Sequence, residues 1–483
     1  MQKKSIPRGY RKEFIPCWNE ESDRLYAELQ HTESQETAKE LLKSLDEARK
    51  ARWCQAMESM DFTKSSRKPW ALMRRLGEAT TRVQQRTKIN PNRIAERIKM
   101  SSKTPSDKTF TREINKKYCR LRKRTRRDNS SSRAFTLSEV DLALSQIKPG
   151  KAAGFDGVYP EFLINCGKRV RTWLADFFTD IMLENRLPYL FKKAKIIAVL
   201  KPGKPSDLPE SYRPIALLSV AFKLFERLIY NRIVHKLEAL IPSEQAGFMK
   251  GRSCTEQVLS LTNHIEQGYQ NKFKTGVAFI DLTSAYDTIW KKGLVYKLLK
   301  TLKCRRLCDL IMNMLSDRHF QVFLNSDVSR VRKLDNGLPQ GSVLSCLLFN
   351  LYISDLPKSK SRKFMFADDI AFAYQSRSFE KISSKLTEDL VPFADYCKKW
   401  RLIPSTSKTV VSCFHLIHVE ASRQLVVSLN GNTLKHESSV KYLGVTLDRT
   451  LTYKKHLSNV SAKLSTRNNL IKKPPIKEIP SFL

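Results

Sequence analysis

Paired metal-binding cysteines are missing from this 483-residue chain. Its ten cysteines are scattered, with no Cys-x-x-Cys and no Cys/His set at zinc spacing. Cys304 and Cys308, four apart, come nearest, and one ligand pair without a second points to free thiols in a reducing compartment. Long apolar runs are also absent. The longest, Val343 to Ile353, is interrupted by Ser345 and Asn350 and is too short to span a bilayer. No amphipathic anchor or lipidation motif is evident, and Met1 to Pro7 lacks the apolar segment of a secretory signal. An intracellular protein without a membrane partner is therefore expected, in nucleus and cytoplasm. No internal repeat is found. Acidic charge is scarce: 48 acids stand against 87 lysines and arginines, a formal charge of +39. An excess of that size, spread along the chain, favours a polyanionic partner through counterion release.

The length allows two or three domains. Residues 1–133 read as a helical, highly charged and basic spacer region. Ser22 to Met60 is rich in Glu, Lys, Ala, Arg and Leu, which favour helix. Apolar periodicity is then lost from Ser101 to Arg133. Lys116, Lys117, Arg120, Arg122, Lys123, Arg124, Arg126 and Arg127 crowd together there, followed by Ser130 to Ser132. That stretch reads either as a solvated linker or as a nucleic-acid-contacting arm or nuclear address. Order resumes with a capping box at Thr136 to Glu139, opening a helix to Ile147. A strand is expected over Lys195 to Leu200 and an amphipathic helix over Leu217 to Leu240, with apolar positions at Phe222, Phe225, Leu228, Ile229 and Ile233. Further on come a strand ending at Asp281, a helix near Leu294 to Asp317, a strand near Phe320 to Asn325 and a helix after Gln340. Sheet and helix alternate without a strict βαβ repeat, so the fold class is α+β.

Phe364 to Ala367 and Ile370 to Tyr374 are short apolar runs flanking Asp368 and Asp369, a pattern for a tight β-hairpin with both aspartates at its tip. Alone, such a pair is ordinary turn chemistry. A second strand-end carboxylate gives it meaning: Gly276 to Ile280 is a buried-strand pattern that ends on Asp281. Carboxylates at the ends of neighbouring strands, in a strongly basic protein, suit Mg²⁺-dependent phosphoryl transfer on nucleic acid. Two Mg²⁺ ions roughly 4 Å apart activate a primer hydroxyl and stabilise leaving pyrophosphate. Asp281 and Asp368 are the candidates for binding both ions, with Asp369 assisting; Asp287 reads as a helix or turn acid. Tyr286 is either core packing or a ring under the incoming sugar that excludes a 2′-hydroxyl. Asn336 to Ser342 is a Gly- and Pro-bearing turn whose Gln340 amide can bond a base or sugar, or simply a helix entry.

In this order the blocks resemble a reverse transcriptase, and most closely the polymerase of jockey-like non-LTR (LINE-type) retrotransposons. Lys151 to Gly157, Ser211 to Ser219, Gln245 to Ser253, Asp281 to Asp287, the Pro339-Gln340-Gly341 and Ala367-Asp368-Asp369 blocks, Trp400 to Thr409 and Tyr442 to Asp448 are each similar to a block of that family. Ile6 to Gly9 and Ile15 to Trp18 resemble its spacer before the polymerase. The resemblance implies a right-hand polymerase fold: fingers and palm over 134–450, then a truncated thumb start over 451–483. It implies an RNA-directed DNA polymerase that uses two Mg²⁺ ions, an RNA template, a DNA primer or target and deoxynucleoside triphosphates. Lys201 and Arg213 would face the triphosphate or template. Gln340 and Gly341 would border the nucleotide, and Lys408 would protonate or neutralise pyrophosphate. Met249 stands where the family usually has arginine, a loss for which Lys250 or Arg252 would compensate. Cys346 replaces a common proline and Ser405 a common asparagine. With no upstream endonuclease in view, a fragment or decayed copy is expected, and the alternative function is a catalytically inactive nucleic-acid-binding remnant. An intron maturase or a telomerase-like enzyme fits less well, given the jockey-like spacer. Oligomeric state is left open.

Overall fold

The computed structural model describes residues 18–32, 34–58, 89–128, 130–325 and 327–472. Ile6 to Gly9, Ile15 to Cys17, the end of the helical stretch at Met60 and the lysines and prolines after Lys472 lie outside them. The chain forms two compact units, one of Met1–Gln85 with Val460–Leu483, the other Arg86–Asn459. In the first, the Glu/Lys/Ala/Leu-rich stretch forms helices Glu20–Thr32 and Gln35–Glu58, with Leu41 and Leu45 buried.

The second unit is α+β and holds the strands β1 (Lys193–Leu200), β2 (Tyr212–Leu217), β3 (Lys274–Ile280), β4 (Arg318–Leu324), β5 (Asp327–Val328), β6 (Arg332–Leu334), β7 (Arg362–Phe366), β8 (Asp369–Ser376) and β9 (Val410–Phe414). Short strands β10 (Ser428–Leu429), β11 (Asn432–Thr433), β12 (Lys435–His436), β13 (Ser439–Tyr442) and β14 (Val445–Asp448) follow. One sheet has the order β12-β9-β3-β8-β7, and a second runs β2-β1-β4-β5 with β6 also on β4. In the first, β3 is antiparallel to both β8 and β9. Every residue of β3 is buried. Its side chains alternate between two cores: Ala278 and Ile280 join the larger, Val277 and Phe279 the smaller. Helix Phe379–Trp400 covers the first face with Ile382, Leu386, Leu390 and Phe393, a four- and three-residue spacing that makes one stripe. Helix Cys254–Gln270 covers the other with Val258, Leu261 and Ile265.

Local signals account for several helix starts, through side-chain caps at Asn90, Asp107, Thr136, Ser219, Ser253 and Ser378. The capping box at Thr136 and Glu139 is formed, and its helix runs Leu137–Ser145. The expected long amphipathic helix is Val220–Glu238. The helix expected over Leu294 to Asp317 is instead two, Lys291–Leu302 and Arg305–Leu315. Lys303 takes a left-handed backbone (φ 49°) that ends the first, a role for which no glycine signalled. The stretch Ser101 to Arg133, readable as a linker, contains helix Lys108–Arg124. Ile114 and Tyr118, one turn apart, are buried in the larger core, and Arg122 donates twice at 2.8 Å to the Asp309 carboxylate.

Gly276 admits the close approach of helix Phe379–Trp400, because a Cβ there would lie 2.2 Å from Ile382 Cγ2 and 2.9 Å from Leu425 Cδ1. Gly276→Ala is expected to lower unfolding free energy by about 1–3 kcal/mol through overpacking, measured by chemical denaturation.

Candidate active site

The acids meet because of the β3–β8 pairing. Ile280 faces Ile370 in register, so Asp281 leaves β3 beside Asp369, the first residue of β8. The turn between β7 and β8 is Ala367-Asp368, with Ala367 at φ 56°. Asp281 is held from its other side by the segment entering β9. Its amide donates to Thr409 Oγ1 at 3.2 Å. Its carbonyl accepts from the Ser405 amide at 2.8 Å, and the Thr283 amide bonds the Ile403 carbonyl.

Asp281 Oδ2 is buried without a hydrogen-bond donor among the described residues, and Lys408 Nζ lies 3.8 Å away. Burial raises the Asp368 carboxyl above its ordinary range, and the charge on Asp281 adds to it. Asp369, open at the hairpin mouth but crowded by protein, is pushed up to about 6 by desolvation and then by Asp368 and Asp281. Three carboxylates brought together at one strand end fit a hard divalent cation. No group of three ligating side chains among the described residues converges on one point. Mg²⁺ does not require that, since it commonly takes one or two carboxylates together with substrate phosphates.

A cluster of cations lies around Lys201 and Lys408. Partial burial, then Arg97, Arg213, Lys408 and Lys204, depress the Lys201 ammonium, so these side chains share one positive field. Lys201 Nζ donates to the Glu210 carbonyl at 2.9 Å, and Arg213 sits opposite Val199 in the β1–β2 ladder. The structure thus places Lys408 beside Asp281 and brings Lys201 and Arg213 into one field with Lys408. Lys250 is exposed, with no ion pair to the acids among the described residues. Arg252 turns back to donate to the Ser243 carbonyl. Met249, where a cation was expected, packs on the core and accepts a 3.8 Å contact from Asn350.

Tyr286 stacks on Phe349 with centroids 4.6 Å apart and meets Phe248 edge-on at 6.5 Å. The Gln340 loop is bound to this turn: Leu338 donates to the Tyr286 carbonyl at 2.8 Å and Gly337 to that of Ile289 at 2.9 Å. Gly337, at φ 90°, could carry no Cβ, which would lie 2.7 Å from the Asp287 carbonyl oxygen. Gln340 and Gly341 are exposed. Just beyond them, Ser342 Oγ and the Val343 amide both donate to Glu226, which is 2% exposed. The equally buried Arg318 supplies its counter-charge. Sequence reading missed Glu226 and Arg318. The available signal was an acid on the apolar stripe of Phe222, Phe225, Ile229 and Ile233. Arg97, which bonds the Pro209 carbonyl at 2.8 Å, gave no signal.

Residues 199–447 match the reverse transcriptase (RNA-dependent DNA polymerase) family. The chain belongs to that family. It is 35% identical over 342 residues to the probable RNA-directed DNA polymerase from transposon BS of Drosophila melanogaster, covering 68% of this chain and 38% of that protein. Over 345 residues it is 33% identical to the RNA-directed DNA polymerase from mobile element jockey of Drosophila funebris, covering 69% and 37%. A jockey polymerase from Drosophila melanogaster is 31% identical over 347 residues. The chain therefore spans under two fifths of the length of the first two relatives. No helix among its described residues is long and apolar enough to cross a membrane.

Within this reverse transcriptase domain Asp287 closes the turn after Asp281, its amide donating to the Ser284 carbonyl at 2.8 Å. Its carboxylate has only a 3.4 Å contact from Ser101 Oγ. Burial pushes it up to about 6, against the opposing pull of Ser101 and Arg97. A carboxyl raised on folding binds its proton more tightly in the native state, so stability falls as pH rises from about 4 to 6. Asp287→Asn should flatten that slope and add about 2 kcal/mol at pH 7, read from denaturation midpoints between pH 4 and 7.

Proposed function

We propose that this chain is the polymerase segment of a jockey-like non-LTR retrotransposon, extending a primer 3′-hydroxyl with deoxynucleotides on an RNA template. In this reading the β12-β9-β3-β8-β7 sheet is the palm of a right hand, β1 and β2 belong to the fingers, and the thumb starts after residue 450. The observation that carries it is the meeting of Asp281, Asp368 and Asp369 at the ends of β3 and β8, with Lys408 3.8 Å from Asp281.

Asp281, Asp368 and Asp369 are the residues that would hold divalent ions, two Mg²⁺ by preference of hard cations for carboxylate oxygen. When bound, such ions supply Lewis acidity to the primer hydroxyl and neutralise charge on the triphosphate. The chain's own residues do the remainder. Lys201 and Arg213 draw the triphosphate or template in by charge. Lys408 neutralises or protonates departing pyrophosphate. Gln340 and Gly341 border the nucleotide, and Tyr286, fixed by Phe349, excludes a 2′-hydroxyl sterically.

Asp368→Asn should reduce single-nucleotide incorporation on primed RNA by about a thousandfold. Extension by that variant at the unaltered rate would overturn the assignment. Tyr286→Ala should raise ribonucleotide use relative to deoxynucleotide use by roughly tenfold, measured as the ratio of kcat/KM values for the two substrates.

A further inference from the structure

The turn that carries Asp368 is held by a side chain from a distant segment. Gln245 is 1% exposed. Its Oε1 accepts from the Ala367 amide at 2.8 Å, and its Nε2 donates to the Ala367 carbonyl at 3.2 Å. The same Oε1 accepts from the Gly247 amide at 2.8 Å. Around it the backbone of the Gln245 segment is joined to β7: Ala246 donates to the Met365 carbonyl at 2.8 Å, and Met365 donates to that of Glu244 at 3.0 Å. Gly247 leaves no room for drift, since a Cβ there would lie 2.1 Å from the Ala367 nitrogen. Asn350, itself buried, donates to the Gly247 carbonyl at 2.8 Å.

Ala367 needs such support. A non-glycine residue at positive φ costs about 1 kcal/mol or more and persists where its surroundings over-determine it. A primary amide presents a donor and an acceptor side by side, so one side chain can satisfy both the N–H and the C=O of the same residue. An ionised glutamate offers no donor, and methionine has no donor and only a weak sulfur acceptor. The Ala367 carbonyl and the Asp368 amide belong to one peptide plane, so fixing that carbonyl fixes the direction in which Asp368 leaves the turn.

We infer that Gln245 is a positioning residue for the acid site, acting through the Ala367 peptide to hold Asp368 toward Asp281. This rests on the polymerase reading for its meaning in catalysis, but not for its geometry. It uses a residue outside the acids, upstream of both strands that carry them, and assigns it an effect on divalent-ion affinity rather than on nucleotide affinity.

The test uses the full chain and its variants Gln245→Glu and Gln245→Met. Affinity for Mn²⁺ is measured on the folded protein by loss of the free-ion paramagnetic resonance signal. Both variants are expected to bind Mn²⁺ roughly tenfold more weakly. The Mg²⁺ concentration for half-maximal incorporation should rise in parallel, with the deoxynucleotide KM within about twofold of its original value. Hydrogen exchange at the Ala367 amide should be slow in the unmodified chain and fast in either variant. A folded Gln245→Met chain with undiminished Mn²⁺ affinity overturns the inference, as does fast Ala367 exchange in the unmodified chain. The exchange measurement on the unmodified chain decides the matter even where neither variant folds. If the unmodified chain incorporates no nucleotide, the polymerase reading fails, while Mn²⁺ binding and Ala367 exchange still judge Gln245.

Discussion

The antiparallel pairing of β3 with β8 is the interaction on which the rest depends. It runs from Lys274–Ser376 to Ile280–Ile370 without a break. A slip of one residue would turn Ala278 and Ile280 toward the wrong core and exchange every neighbour on both faces. Because both faces are buried, that slip is strongly disfavoured, and the register that satisfies the cores also brings Asp281 beside Asp369. Hydrophobic burial far from the acids thus sets their spacing. The repulsion among three carboxylates is small beside the apolar surface that holds the two strands together.

The second constraint is electrostatic. In a chain of net charge +39, three acids cluster at the end of a buried strand pair, with Lys408 3.8 Å from Asp281. Burial first, and then neighbouring cations including Arg97, Arg213 and Lys408, depress the Lys201 ammonium just past β1. Burial and like charges thus disfavour the ionised form both of Asp369 and of Lys201. Such an arrangement is costly for an isolated protein and suits a ligand that brings both a cation and a chain of phosphates.

Some of this was legible in the sequence because it is local. The Thr136–Glu139 capping box, the hairpin around Asp368 and Asp369 and the buried run ending at Asp281 each declare themselves within eleven residues. The order of blocks pointed to the polymerase family. What stayed hidden is what tertiary contact decides. Ile114 and Tyr118 are two apolar residues in a basic crowd, and only their seat in the core shows the helix to be part of the fold. Lys303 ends a helix in a conformation usually left to glycine or asparagine. Glu226 takes its meaning from Ser342, Val343 and Arg318, all more than ninety positions away by residue number.

Helix Pro91–Ser101, which precedes both the family match and the first recognisable polymerase block, illustrates how fold and profile part company. Asn92 accepts from the Arg330 amide, Glu96 pairs with Arg332, Arg97 bonds the Pro209 carbonyl, and Ser101 reaches Asp287. Ile94 and Ala95 are sealed in the larger core. One short helix therefore spans three regions that lie far apart along the chain: the turn before β2, the hairpin before the Gln340 loop and the turn after Asp281. A recombinant fragment cut where the recognisable polymerase text begins would lose this brace. Its exposed apolar scar would make it less stable than one that starts near Arg86.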